Sequence, residues 1–171
     1  MQDLENTEAQ RAQRHNGIVV VGVGNDFRQD DAAGLIAARR LRDCGILAEE
    51  HQGDFATLNE TWKEADSLIL IDAIAPCRVP GAIYRLNAST SPLDRQVCNT
   101  STHAFGLADV IELSRALGTL PPRVLVFGIE AKNLAVGVGL SREVEASLPE
   151  LVKEVMACVL SQSGVPSVPL W

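Results

Sequence analysis

The sequence predicts an α/β fold: three layers, built on a mostly parallel, mixed and twisted sheet of about five strands, with helices on both faces. Three observations carry this expectation. The runs IVVV at 18–21, SLILIDA at 67–73 and RVLVFGI at 123–129 are nearly continuous in apolar residues, the pattern of parallel strands covered on both sides. Other segments repeat their apolar residues at helical spacing. Read along the chain, the order is βαβαββαβα, which places helices on both sides of one sheet.

Residues 1–16, MQDLENTEAQRAQRHN, are polar throughout and lack the apolar core of a signal peptide, so they read as an extension ahead of the domain. The first strand covers 17–23 and feeds the loop GVGNDFRQDDAAG at 22–34. In an open α/β sheet the carboxyl ends of the strands are where ligands bind. Gly22 and Gly24 let the backbone turn there and come close to a ligand. Asp30 reads as an N-cap and Asp31 as a first-turn carboxylate of a helix over 31–43, which Gly45 ends. A strand over 46–51, the polar turn Gln52-Gly53-Asp54 and a helix over 56–65 follow, Leu58 and Trp62 sharing one helical face.

The strand 67–73 carries Asp72 near its carboxyl end. A carboxylate ending an apolar strand is costly without a partner. If this strand neighbours the first, Asp72 opens into the same crevice as Asp31. Taken singly, Asp30 and Asp31 also read as plain capping residues, and Asp72 as a solvated strand end. After the Pro80-Gly81 turn, 81–86 reads as a strand at an antiparallel edge, and 87–102 as a loop long enough to bind a partner. It delivers His103 to a helix marked by Leu107, Val110, Ile111, Ser114 and Leu117 and stopped by Gly118. The positive end of a helix keeps an imidazole neutral, the form that ligates metal, although a lone His is more often a surface residue. The strand 123–129, a glycine-rich connection from Glu130 and a helix over 141–161 complete the domain, 17–163, and 164–171 reads as a tail. Pro149 inside the last helix predicts a kink or a split.

At 171 residues the chain is most simply one domain, able to bury about 70% of its unfolded surface. Its net charge of −7 argues against nucleic acid and anionic membranes as partners. No stretch approaches the ~18 uncharged apolar residues of a membrane span, so the expected location is cytoplasmic. Cys44, Cys77, Cys98 and Cys158 form no C-x-x-C pair, and Cys98 with His103 is a weak candidate for a nucleophile and its base. Neither H-E-x-x-H nor G-x-S-x-G occurs. Asp26, Asp30 and Asp31, offset by Arg28 alone, make the glycine loop better suited to a cation than to a phosphate.

The segments VGVGNDFRQDDAAG at 21–34, LILIDAI at 68–74 with PGAIYRL at 80–86, and THAFGLADVI at 102–111 together resemble the nickel-iron hydrogenase maturation endopeptidases. These enzymes remove a C-terminal extension from the hydrogenase large-subunit precursor. The resemblance covers nearly all of the chain after residue 16. It implies a phosphorylase/hydrolase-like fold and a combined metal-docking and catalytic role for Asp31, Asp72 and His103. The nickel they meet is already held by the precursor, so no permanent cofactor is expected. The same resemblance assigns the substrate loops to Gly24, Asn25, Asp30, Gly53 and Asp54. It implies the precursor as partner. The chain's size and the lack of a long apolar segment fit a monomer that meets it transiently.

Two departures stand out. The family commonly has Glu where this chain has Asp31; the shorter side chain brings the metal closer to the helix or recruits Asp30. Where many members carry Asp-Gly-Gly-Thr, this chain has His51-Gln52-Gly53-Asp54, and only Gly53 carries over. That loop is the expected seat of substrate choice. Two other classes stay open at this stage: a non-catalytic nickel-binding hydrogenase chaperone with the same ligands, and a nucleotide- or phosphate-dependent small-molecule enzyme using the glycine loop.

Overall fold

The computed structural model describes residues 17–52, 54–93 and 106–162. Five strands, β1 (Ile18–Val23), β2 (Glu49–His51), β3 (Ser67–Ile74), β4 (Ile83–Asn87) and β5 (Arg123–Glu130), form one sheet in the order β2-β1-β3-β5-β4. All pairs are parallel except β4 with β5, so β4 is the antiparallel edge that the sequence predicts. The helices are α1 (Ala33–Asp43), α2 (Phe55–Trp62), α3 (Leu107–Ala116) and α4 (Arg142–Gln162). The α/β sheet with helices is the predicted one.

Side-chain alternation along β3 separates two cores. Ile69, Ile71 and Ala73 pack with Ala37 and Leu41 of α1 and with Leu148, Leu151 and Val155 of α4. Leu68 and Leu70 face the other way, onto Leu58 and Trp62 of α2 and Val110 and Ile111 of α3. Asp72 has the parity of Leu68 and Leu70, and therefore lies on the α2/α3 side. Because β4 runs against β5, the chain leaves β4 at the amino edge of the sheet, and α3 begins at the opposite, carboxyl edge before descending to β5.

Several boundaries differ from the sequence reading. A 3-10 turn, Gln29–Ala32, precedes α1, so the α-helix starts at Ala33 and not at Asp31. The strand expected over 46–51 pairs with β1 only at Glu49–His51, although Ile46 and Ala48 are buried. Pro149 neither splits nor ends α4: the buried stripe Val144, Leu148, Leu151, Val152 and Val155 runs through it, and packing on both sides outweighs one missing backbone hydrogen bond.

Glycine sets how closely α1 lies on the sheet. A Cβ on Gly34 would stand 2.2 Å from the Val23 carbonyl oxygen and 2.5 Å from that of Ile71. Both obstacles are backbone of adjacent strands and cannot rotate away. Gly34→Ala is therefore expected to cost about 2 kcal/mol or more, seen as a Tm roughly 4–8 °C lower in a thermal melt. An unchanged Tm would mean that α1 is not seated this tightly.

Candidate acidic site at the carboxyl edge of the sheet

β3 lies between β1 and β5, and the connections leaving those two flanking strands meet across its end. Gln29 N–H donates to the Gly137 carbonyl at 3.0 Å, Gly137 N–H donates to that of Phe27 at 2.9 Å, and Asp30 N–H donates to that of Asn133 at 3.1 Å. Arg28 adds a side-chain bond to the Leu134 carbonyl at 3.1 Å. These bonds hold Gln29 at a φ of 47°, a left-handed conformation that a residue with a Cβ rarely adopts.

The junction is locked from inside by Asp30. Its carboxylate is fully buried and accepts the backbone N–H groups of Lys132 at 2.8 Å, Asn133 at 2.9 Å and Ser141 at 2.6 Å. Asp30 is thus no helix cap: three donors from the connection after β5 outbid the local turn, whose N-cap is Arg28 without a side-chain bond. Those bonds occupy both oxygens of Asp30. Asp26 is likewise engaged, with Arg39 at 2.9 and 2.7 Å, and that arginine holds its carboxyl below the usual range.

The charge of Asp31 acts on the carboxyl of Asp72. Asp31 is 1% exposed and Asp72 6% exposed. Burial, and then the charge of Asp31, push the Asp72 carboxyl well above the ordinary value, against slight relief from the Ala73 N–H. Ionising both carboxyls here is costly, and a cation close to them would relieve that cost.

The anion alternative fails on the backbone. Phosphate loops present free N–H groups, whereas here Gly24 N–H donates to His51, Asn25 to Asp31, Arg28 to Asn25 and Asp31 to Arg28, all carbonyls. Phe27 N–H donates to the Asn25 side chain at 2.9 Å, and Gln29 and Asp30 are bonded as described. The donors that would cradle a phosphate are spent on the protein.

Of the other candidates from sequence, Gly24 lies against the turn, a Cβ there falling 2.0 Å from the Asp31 carbonyl oxygen. Asn25 closes the turn. Asp54 is the N-cap of α2, accepting Thr57 N–H at 3.1 Å. His103 and Gly53 lie outside the described residues, as does Cys98. Among the described residues no group of three His, Cys, Asp or Glu side chains is arranged to hold a metal.

Sequence reading missed Glu130, taken there as the start of a connection. It is the last residue of β5, fully buried, and accepts the N–H of Cys77 at 2.7 Å, that of Arg78, and the Tyr84 hydroxyl at 2.8 Å. Burial alone would raise its carboxyl, but those donors together hold it below the usual range. Glu130 thereby fixes the connection that leaves β3 just after Asp72. The signal for it was the same as for Asp72, a carboxylate closing an apolar strand.

Fold and site define a doubly covered α/β protein with two buried carboxyls, Asp31 and Asp72, at the carboxyl edge of its sheet. Residues 53–158 match the family model described as hydrogenase maturation protease. The hydrogenase 2 maturation protease of Escherichia coli (strain K12) is 30% identical over 165 residues, 89% of this chain and 95% of the relative. The structure of the hydrogenase maturating endopeptidase HybD from E. coli aligns at a TM-score of 0.69 with 28% identity, covering 86% of this chain and 93% of the other. A solution structure of an endopeptidase from E. coli aligns at 0.71 with 29% identity, covering 89% and 96%. The chain belongs to the hydrogenase maturation protease family.

Among the described residues no helix is long and apolar enough to cross a membrane.

Proposed function

We propose that this chain is the endopeptidase that removes the C-terminal extension of a nickel-loaded nickel-iron hydrogenase large-subunit precursor. The observation that supports it most is the Asp31 and Asp72 pair, buried together with the Asp72 carboxyl driven upward. Such a pair is expensive in the isolated protein and is relieved when a divalent ion arrives with the substrate.

In this reading the nickel is substrate cargo. Asp31 and Asp72 supply oxygen ligands, and His103, four residues before α3 in the sequence, supplies an imidazole, a donor suited to nickel. Three protein ligands leave positions for the groups the precursor already provides. Docking through the metal sets the scissile peptide against a carboxylate able to take a proton from water, so that positioning carries much of the acceleration.

The test is the intact mass of purified large-subunit precursors after incubation with this protein, each with and without nickel. Loss of a short C-terminal peptide from the nickel-loaded form alone is expected. Cleavage without nickel would discard the metal as recognition feature, and binding without shortening would favour a chaperone.

A further inference from the structure

The three most exposed large apolar side chains among the described residues are Val136 and Val138, each 82% exposed, and Phe27, 68% exposed. They do not lie scattered. Phe27 is on the connection after β1 and the two valines flank Gly137 on the connection after β5, at the point where those connections are hydrogen-bonded across the end of β3. Single exposed apolar residues need no explanation, but a cluster beside a polar site marks a surface that another molecule covers.

We propose that Phe27, Val136 and Val138 form an apolar rim that grips apolar residues of the precursor polypeptide adjoining its bound cation. This rests on the function proposed above and names how the protein substrate is held. Charge and polarity select the occupant: two buried carboxyls call for a cation, and three apolar side chains on the connections bonded to the Asp31 turn call for apolar side chains on the same partner. A polypeptide carrying a divalent ion meets both demands; a free metal ion meets only the first.

The geometry also explains why such a rim is useful. A carboxylate pair reads charge but not the residues around the bond to be cut. Contacts to non-reacting parts of a substrate supply the binding energy that places the reacting group. The backbone bonds between residues 27–30 and 133–137 tie the rim to the turn that carries Asp31, so a polypeptide seated on it meets the acids in a fixed register.

The experiment is the processing of nickel-loaded precursor by the wild-type chain and by a Phe27→Ser, Val136→Ser, Val138→Ser triple variant. Leu117→Ser serves as control, since Leu117 is 59% exposed but follows α3 at the opposite edge of the sheet. The triple variant is expected to keep its Tm, to raise KM at least tenfold and to hold kcat within about twofold, while the control matches wild type. Wild type that processes, with an unmoved KM in the triple variant, overturns the rim and leaves the protease reading standing. Wild type that neither binds nor cleaves any precursor overturns both. A dimer of the wild type that the triple variant dissolves, with KM unchanged, would assign the rim to a second copy and overturn it as a substrate grip.

Discussion

Replacing Asp72 by Asn is expected to lower processing of nickel-loaded precursor by about 100-fold or more while leaving the fold intact and raising the Tm of the isolated protein at pH 7. Asn fills the same space but gives up the anionic oxygen that the docking reading requires. The stability gain comes from the same cause as the loss. Burial and the neighbouring Asp31 charge make the folded chain hold the Asp72 proton more tightly than the unfolded chain does. Where the unfolded state has released that proton and the folded state resists releasing it, stability falls as pH rises. The fall begins near the usual carboxylate pKa of about 4 and continues up to the raised folded value. The Asn variant escapes this. Its advantage in Tm should be present at pH 7 and close as the pH is brought down toward 4. Melts of both proteins across that range, beside the processing assay, check both halves. A variant no more stable than wild type at pH 7 would mean that Asp72 is not strained in the isolated chain, and one that still processes normally would remove it from the site.

Asp72 and Glu130 mark how far sequence alone reaches. Both close an apolar strand, IDA in one case and GIE in the other, a pattern that is costly unless the carboxylate finds a partner. In the folded chain they diverge: Glu130 collects two backbone N–H groups and a tyrosine hydroxyl and is held low, whereas Asp72 faces Asp31 and is pushed high. Which donors reach a strand-end carboxylate depends on the loop crossing above it, and no local pattern records that. The mostly parallel sheet with an antiparallel edge was legible because continuous apolar runs mark strands covered on both faces, whereas the order of the strands was not. The role of Asp30 was not legible, since its partners lie 102, 103 and 111 residues away. Nor was the start of α1, where the bonds around Arg28 and Gln29 tighten the first turn. Within the acidic loop, Asp26 pairs with Arg39 and Asp30 accepts three backbone N–H groups, roles that the sequence does not reveal.

That division of labour gives Asp30 and Asp31 opposite expected phenotypes although they are neighbours. Asp30→Ala removes the acceptor for three backbone N–H groups in the buried junction between the connections after β1 and β5. Each unpaired buried donor costs about 1–3 kcal/mol, so the loss is at least about 3 kcal/mol, or roughly 6–12 °C in Tm. Partial rescue by Asp30→Asn is expected, because the amide keeps one acceptor oxygen while its NH2 turns toward donors. Asp31→Asn, like Asp72→Asn, should lose processing without that destabilisation, since it removes one of two repelling charges. The pattern separates the two assignments of the docking carboxylate. Were Asp30 the metal-facing residue, Asp30→Asn would abolish processing at full stability and Asp31→Asn would melt the junction. The expected order is the other way, because a carboxylate with both oxygens taken up by backbone donors has little left to offer a metal.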